Sequence, residues 1–124
     1  MAGPWQQANR GAGGAASVTQ AAPTNGSTTG LQVRLRQLIV SFSGTANATD
    51  QLTVKDGAGG TNLLTLDFAA LANTGQVAFL AGMDIRASVG KDLVIAFVNG
   101  VATSNEDINA SGDFIPAGYP MFQS

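Results

Sequence analysis

The chain has 124 residues, with six Lys and Arg against eight Asp and Glu, no His and no Cys, which allows one domain with a modest core. Without Cys or His, disulfides, thiolate metal sites, the usual zinc sites and both the Ser-His-Asp and Cys-His nucleophile arrangements are excluded. A charged fraction of 11% is low for the surface of a free monomer and points to a surface that faces other protein.

Residues 1–30 contain six Gly, seven Ala and four Thr, with only Met1, Trp5 and Val18 as larger apolar residues. This composition cannot build a core of its own. The segment reads as an extended N-terminal arm that either crosses a neighbouring subunit or folds back on its own domain, and the first is the expectation. Trp5 is then an anchor that buries itself in a partner's pocket, since large aromatics are enriched at interfaces. Charge supports the same picture. Residues 1–49 hold Arg10, Arg34 and Arg36 and no acid, whereas residues 50–124 hold all eight acids against Lys55, Arg86 and Lys91, so arm and body attract.

From Leu31 the texture changes to short β-prone runs punctuated by Gly, Asn and Asp. Leu31, Val33 and Leu35 alternate with Gln32, Arg34 and Arg36, and then the phase slips to Leu38, Val40 and Phe42. A one-residue slip in a period of two marks a β-bulge or a strand that changes sheets. Both arginines are expected to face away from the core, on a solvated strand face or at an interface, the first at least as readily as the second. Residues 51–56 and 61–68 follow, with Leu52, Val54, Leu64, Leu66 and Phe68 inward, joined through Asp56-Gly57-Ala58-Gly59-Gly60 as a hairpin.

Further runs cover residues 76–80, with Val77 and Phe79 inward, and residues 84–88, with Ile85 and Ala87 inward. Residues 92–98 are apolar on both faces and read as a central strand. Asn99-Gly100 after them is a strong hairpin signal, and Ile108, Ala110 and Phe114 alternate in the last run, residues 107–115. Leu64, Phe68 and Leu71 are also spaced for a short helix near residues 67–73. The four prolines, Pro4, Pro23, Pro116 and Pro120, all lie outside residues 31–115, as expected if those residues form the sheets. The resulting expectation is an all-β, jelly-roll-like two-sheet β-sandwich of about eight short strands over residues 31–115, after an arm of residues 1–30 and before a C-terminal tail of residues 116–124. Tyr119 and Phe122 make that tail apolar, so it is expected to pack against its own sandwich or another chain.

Chemical signals are weak. The glycine run at residues 56–60 lacks the Lys-Ser or Lys-Thr of a phosphate loop and leads into a strand. Glu106 and Asp107 are adjacent and would point to opposite faces of a strand, while Asp84 and Asp92 suit turns. The calcium-loop pattern is missing. No catalytic, metal or cofactor residue is assigned, and no enzymatic activity is expected. Three arginines in residues 1–49 are too few for a nucleic-acid footprint. No apolar run approaches the roughly twenty residues of a bilayer span, and residues 1–30 lack a basic and then apolar leader, so neither nucleic acid nor membrane is an expected partner.

Leu31-Gln32-Val33-Arg34, the run Leu52 to Gly57, Leu64-Thr65-Leu66 and Asp92-Leu93-Val94-Ile95 together resemble, in the texture of residues 31–115, the small jelly-roll-like virion proteins of tailed bacteriophages, in particular head decoration or cement proteins. That resemblance implies a non-enzymatic homotrimer, made in the host cytoplasm and located in the virion, which bridges neighbouring subunits of the major capsid protein. Trp5, Arg10, Tyr119 and Phe122 are the expected interface residues. A tail-fibre or head-fibre component and a glycan-binding sandwich are the alternatives, and the shortage of non-Phe aromatics between Leu31 and Ile115 counts against the second.

Overall fold

The computed structural model describes residues 4–12, 16–23, 30–42, 51–67, 77–99 and 105–118. Those residues form nine β-strands and no helix. The strands are β1 (Trp5–Ala12), β2 (Ser17–Gln20), β3 (Leu31–Phe42), β4 (Gln51–Asp56), β5 (Asn62–Asp67), β6 (Val77–Leu80), β7 (Ile85–Arg86), β8 (Leu93–Asn99) and β9 (Asn105–Pro116). They make two antiparallel sheets, one in the order β1-β9-β3-β6 with β7 also on β3, the other in the order β2-β8-β4-β5.

Alternation places the core between them. Val33, Leu35, Leu38, Val40, Ile108 and Ala110 from the first sheet meet Val18, Leu52, Val54, Leu93, Ile95 and Phe97 from the second, all buried. Each fully buried Leu, Ile or Val contributes about 1.5–3 kcal/mol through apolar area withdrawn from water. The all-β two-sheet sandwich expected from the sequence is thus the observed architecture. The phase slip in β3 is a bulge, since the β3–β9 register shifts between Leu35 and Gln37, and so both Leu35 and Leu38 point inward. β8 lies inside its sheet, between β2 and β4, as its two apolar faces require. The glycine hairpin joins β4 to β5, with Gly57 at φ 83° and Gly59 at φ 72°, a region that L side chains rarely enter.

Several expectations are corrected. In this structure residues 4–12 and 16–23 lie on the chain's own two sheets and do not project as an arm. β1 pairs along its full length with β9, Trp5 opposite Gly112 through Ala12 opposite Asn105, and β2 pairs with β8. The physical reason is that β8 and β9 would otherwise present unpaired backbone donors and acceptors beside an open core. The domain therefore begins at Trp5 instead of Leu31, and removal of residues 1–30 would strip an edge strand from each sheet. Asn99-Gly100 does not close a hairpin between β8 and β9, because those strands belong to different sheets. Phe79 is not inward but 61% exposed. Of the short helix considered at residues 67–73, Asp67 ends β5 and the rest lies outside the described residues, as do Tyr119 and Phe122.

One glycine fixes how β1 sits. A Cβ on Gly112 would stand 1.8 Å from the Arg34 carbonyl oxygen and 2.8 Å from Cζ2 of Trp5. The first obstacle is backbone of the paired strand and cannot swing aside. Gly112→Ala is expected to lower stability by about 1–3 kcal/mol through overpacking, read as a lowered urea midpoint with an unchanged slope.

Candidate functional site

The alternation that sends Val33, Leu35, Ile108 and Ala110 inward sends their neighbours to the outer face of the five-stranded sheet. Register then sorts that face into rows. Arg10, Asp107 and Ser41 form one row; Ala8, Asn109, Ile39 and Phe79 form the next; Gln6, Ser111 and Gln37 form the third. Beyond the bulge come Asp113, Arg34 and Arg86, with Asp84 alongside.

The two ends of this face are charged but internally paired. Arg10 holds Asp107 with Nε to Oδ1 at 2.7 Å and Nη2 to Oδ2 at 3.1 Å. The hydrogen bond from Arg10 holds the Asp107 carboxyl below the usual carboxylate range, against the opposing effect of burial. The Arg10 side chain is nevertheless 63% exposed, and an ion pair that open to water adds little stability.

At the other end Arg34 donates to Asp113 through Nε and Nη2, both at 2.8 Å. Asp84 accepts from Arg86 Nε at 2.8 Å and Nη2 at 3.0 Å, and lies 3.9 Å from Arg34. Arg34 and Arg86 are direct register partners, a like-charge juxtaposition that Asp84 neutralises from between them. The Arg86 hydrogen bonds hold the Asp84 carboxyl below its ordinary range, burial opposing, with Arg34 and Arg36 adding to the depression.

Sequence reasoning turned both Arg34 and Arg36 away from the core. The structure separates them: Arg36 is exposed at the bulge, whereas Arg34 faces away from the core yet is 8% exposed. Nothing local in the sequence announces the partner, because Asp113 lies 79 residues away.

Trp5 is also not available to a partner's pocket. It is 7% exposed within its own core and donates Nε1–H to the Asp113 carbonyl at 3.2 Å. Of the four residues expected at an interface, Trp5 is a core residue, Arg10 is an exposed residue at the edge of the outer face, and Tyr119 and Phe122 are outside the described residues. Phe79 was expected to point inward, and Ile39, Gln37 and Ser111 were not singled out by the sequence; their common face follows only from strand order.

A groove of about 550 Å³ opens where β1 passes the bulge, lined by Trp5, Gln6, Arg36, Gln37 and Ser111 among others. Asp84, Asp92, Glu106 and Asp107 do not converge there. Asp92 accepts from the Ala22 amide at 2.8 Å, Asp84 belongs to the arginine cluster, and Glu106 is fully buried on the core side of β9 while Asp107 faces outward. Glu106 and Asp107 thus sit on opposite faces, as adjacent strand residues must.

What the outer face offers chemically is a flat array of amide, hydroxyl and apolar groups whose ends carry satisfied ion pairs. Compared with models of known protein families and with curated proteins, the chain matches none of them.

Proposed function

We propose that the chain is a non-enzymatic structural virion protein of decoration or cement type, a homo-oligomer that bridges neighbouring capsid subunits through the outer face of its five-stranded sheet. The observation that carries this reading is the uncharged row Ala8, Asn109, Ile39 and Phe79, which ends on a phenylalanine 61% exposed. Burying that row against another protein withdraws apolar area without stripping water from a lone charge, because Arg10, Arg34 and Arg86 already hold carboxylates. The resemblance of residues 31–115 to phage head proteins supplies the virion setting and the trimer of the proposal, and the sheet orders β1-β9-β3-β6 and β2-β8-β4-β5 support its jelly-roll class.

The test is quantitative mass spectrometry of purified particles from the source. Copies comparable to the major capsid protein are expected; a handful per particle would move the chain to a fibre, and absence would end the virion reading. Phe79→Asp is expected to weaken attachment at least tenfold while leaving the unfolding midpoint nearly unchanged, since truncated interface anchors commonly cost more than about 1.4 kcal/mol of binding.

The groove at the bulge favours a second reading, a glycan-binding sandwich. Its volume suits a small ligand, and Arg36, Gln6, Gln37 and Ser111 offer donors. Trp5, however, is too buried to present an open ring face for stacking, and so the structural reading stands first. A glycan array decides: binding abolished by Arg36→Ala and Gln37→Ala would favour the second.

A further inference from the structure

We propose that residues 4–23 are exchanged between copies of this chain, so that the site filled by β1 and β2 is also the docking site for the same segment of a second copy. The proposal concerns how copies join to each other and holds whether or not the oligomer sits on a particle.

Topology carries it. Among the described residues, β1 is an edge strand whose one sheet neighbour is β9, and β2 is an edge strand whose one sheet neighbour is β8. Between themselves they are tied as one unit: Gln7 Nε2 donates to Gln20 Oε1 at 2.9 Å and the Ser17 amide donates to Asn9 Oδ1 at 3.1 Å. One short piece of chain thus clips both sheets along one side.

Its apolar anchors, Trp5, Ala16, Val18 and Ala22, are all buried, yet they are too few to form a core of their own. They complete a core that the rest of the chain supplies. The polar ties run the same way. Trp5 Nε1 reaches the Asp113 carbonyl, Arg10 reaches Asp107, the Ala22 amide reaches Asp92 at 2.8 Å, and the Phe97 amide donates to the Ala16 carbonyl at 3.1 Å.

A chain whose clip has left therefore exposes two bare strand edges, eight register partners on β9 and four on β8, beside Ile108, Ala110, Ile95 and Phe97. Such edges do not persist in water. The occupant that matches both at once, in register and with the same anchors, is the clip of another copy, which recreates every contact and adds only the entropic cost of joining two chains. The segment's one charged side chain, Arg10, meets Asp107 in either arrangement, so charge does not oppose the exchange. The sequence between Pro23 and Gly30, Thr-Asn-Gly-Ser-Thr-Thr, holds no apolar residue to be buried. Extended, it spans roughly 20 Å, enough to pass from one copy to an adjoining one.

The absence of cysteine makes the test direct. Thr19 and Val94 are register partners on the four-stranded sheet, and antiparallel partners stand within disulfide reach. This sheet is not the one assigned to particle contact, so the outcome is separate from that of the decoration reading. Full-length Thr19→Cys and Val94→Cys chains are unfolded together, refolded as a mixture over a range of concentrations, oxidised and digested. The expected result is a cross-linked peptide joining position 19 of one chain to position 94 of another, as the dominant disulfide and rising with concentration. Only homotypic disulfides, or none at any concentration, would overturn the proposal. Ser17→Cys mixed with Ala96→Cys, also register partners, repeats the test should one variant fold poorly.

Discussion

Trp5→Ala is expected to remove about 3–5 kcal/mol from the free energy of unfolding, the range seen when a buried large aromatic is truncated. Trp5 fills the end of the core beside Gly112, and its indole N–H has a backbone partner at 3.2 Å. Truncation therefore opens a cavity and leaves the Asp113 carbonyl short of a donor. For a domain stabilised by about 5–15 kcal/mol in total, the loss is large enough to shift a urea transition far toward zero denaturant. An anchor at the end of a projecting arm behaves differently: its loss would weaken assembly and leave the transition of the isolated chain where it was. An unchanged urea midpoint for Trp5→Ala would remove β1 from the domain and restore the arm.

Asp84→Asn is expected to cost about 1–3 kcal/mol, because Arg86 loses the carboxylate that accepts its Nε and Nη2 hydrogen bonds, while Arg34 keeps its two bonds to Asp113. The side chains concerned are little exposed, 6% for Asp84, 10% for Arg34 and 14% for Arg86, so water only partly replaces the missing charge. The same carboxylate gives stability a pH dependence. Its pKa in the folded chain lies below the unfolded value of about 3.9. The stabilisation is therefore complete above that value and is lost as pH falls through the folded pKa. Asp107 shifts in the same direction through Arg10 and adds a smaller effect of the same sign. Thermal unfolding followed between pH 6 and pH 2 is expected to show the wild type losing stability below about pH 4, and Asp84→Asn losing less over the same interval. Parallel curves would remove Asp84 from the account.

The arginine cluster and the outer face also separate local from distant information. Residues 31–40 declare a strand by alternation, and the slip at Arg36 declares a bulge or a change of sheet, of which the β3–β9 register shift selects the bulge. The glycines at 57 and 59 declare a turn, because positive φ is accessible to them at little cost. The doubly apolar run at residues 92–98 declares an interior strand. Each of these signals is carried by residues within a few positions of one another.

The sequence by itself therefore determined the sandwich, its inward faces, the β4–β5 turn and the shortage of charge. Tertiary structure alone decided where residues 4–12 and 16–23 go, since Gln7, Asn9 and Gly11 alternate with no apolar pattern and become strand only because β9 has an edge to fill. It likewise decided that Asn99-Gly100 leads from one sheet to the other, that Phe79 is exposed, and that Arg34 is buried against Asp113. These outcomes depend on strand order, and strand order is set by which edges and faces must be covered across the whole chain. Alternation and turn residues carry no record of that requirement.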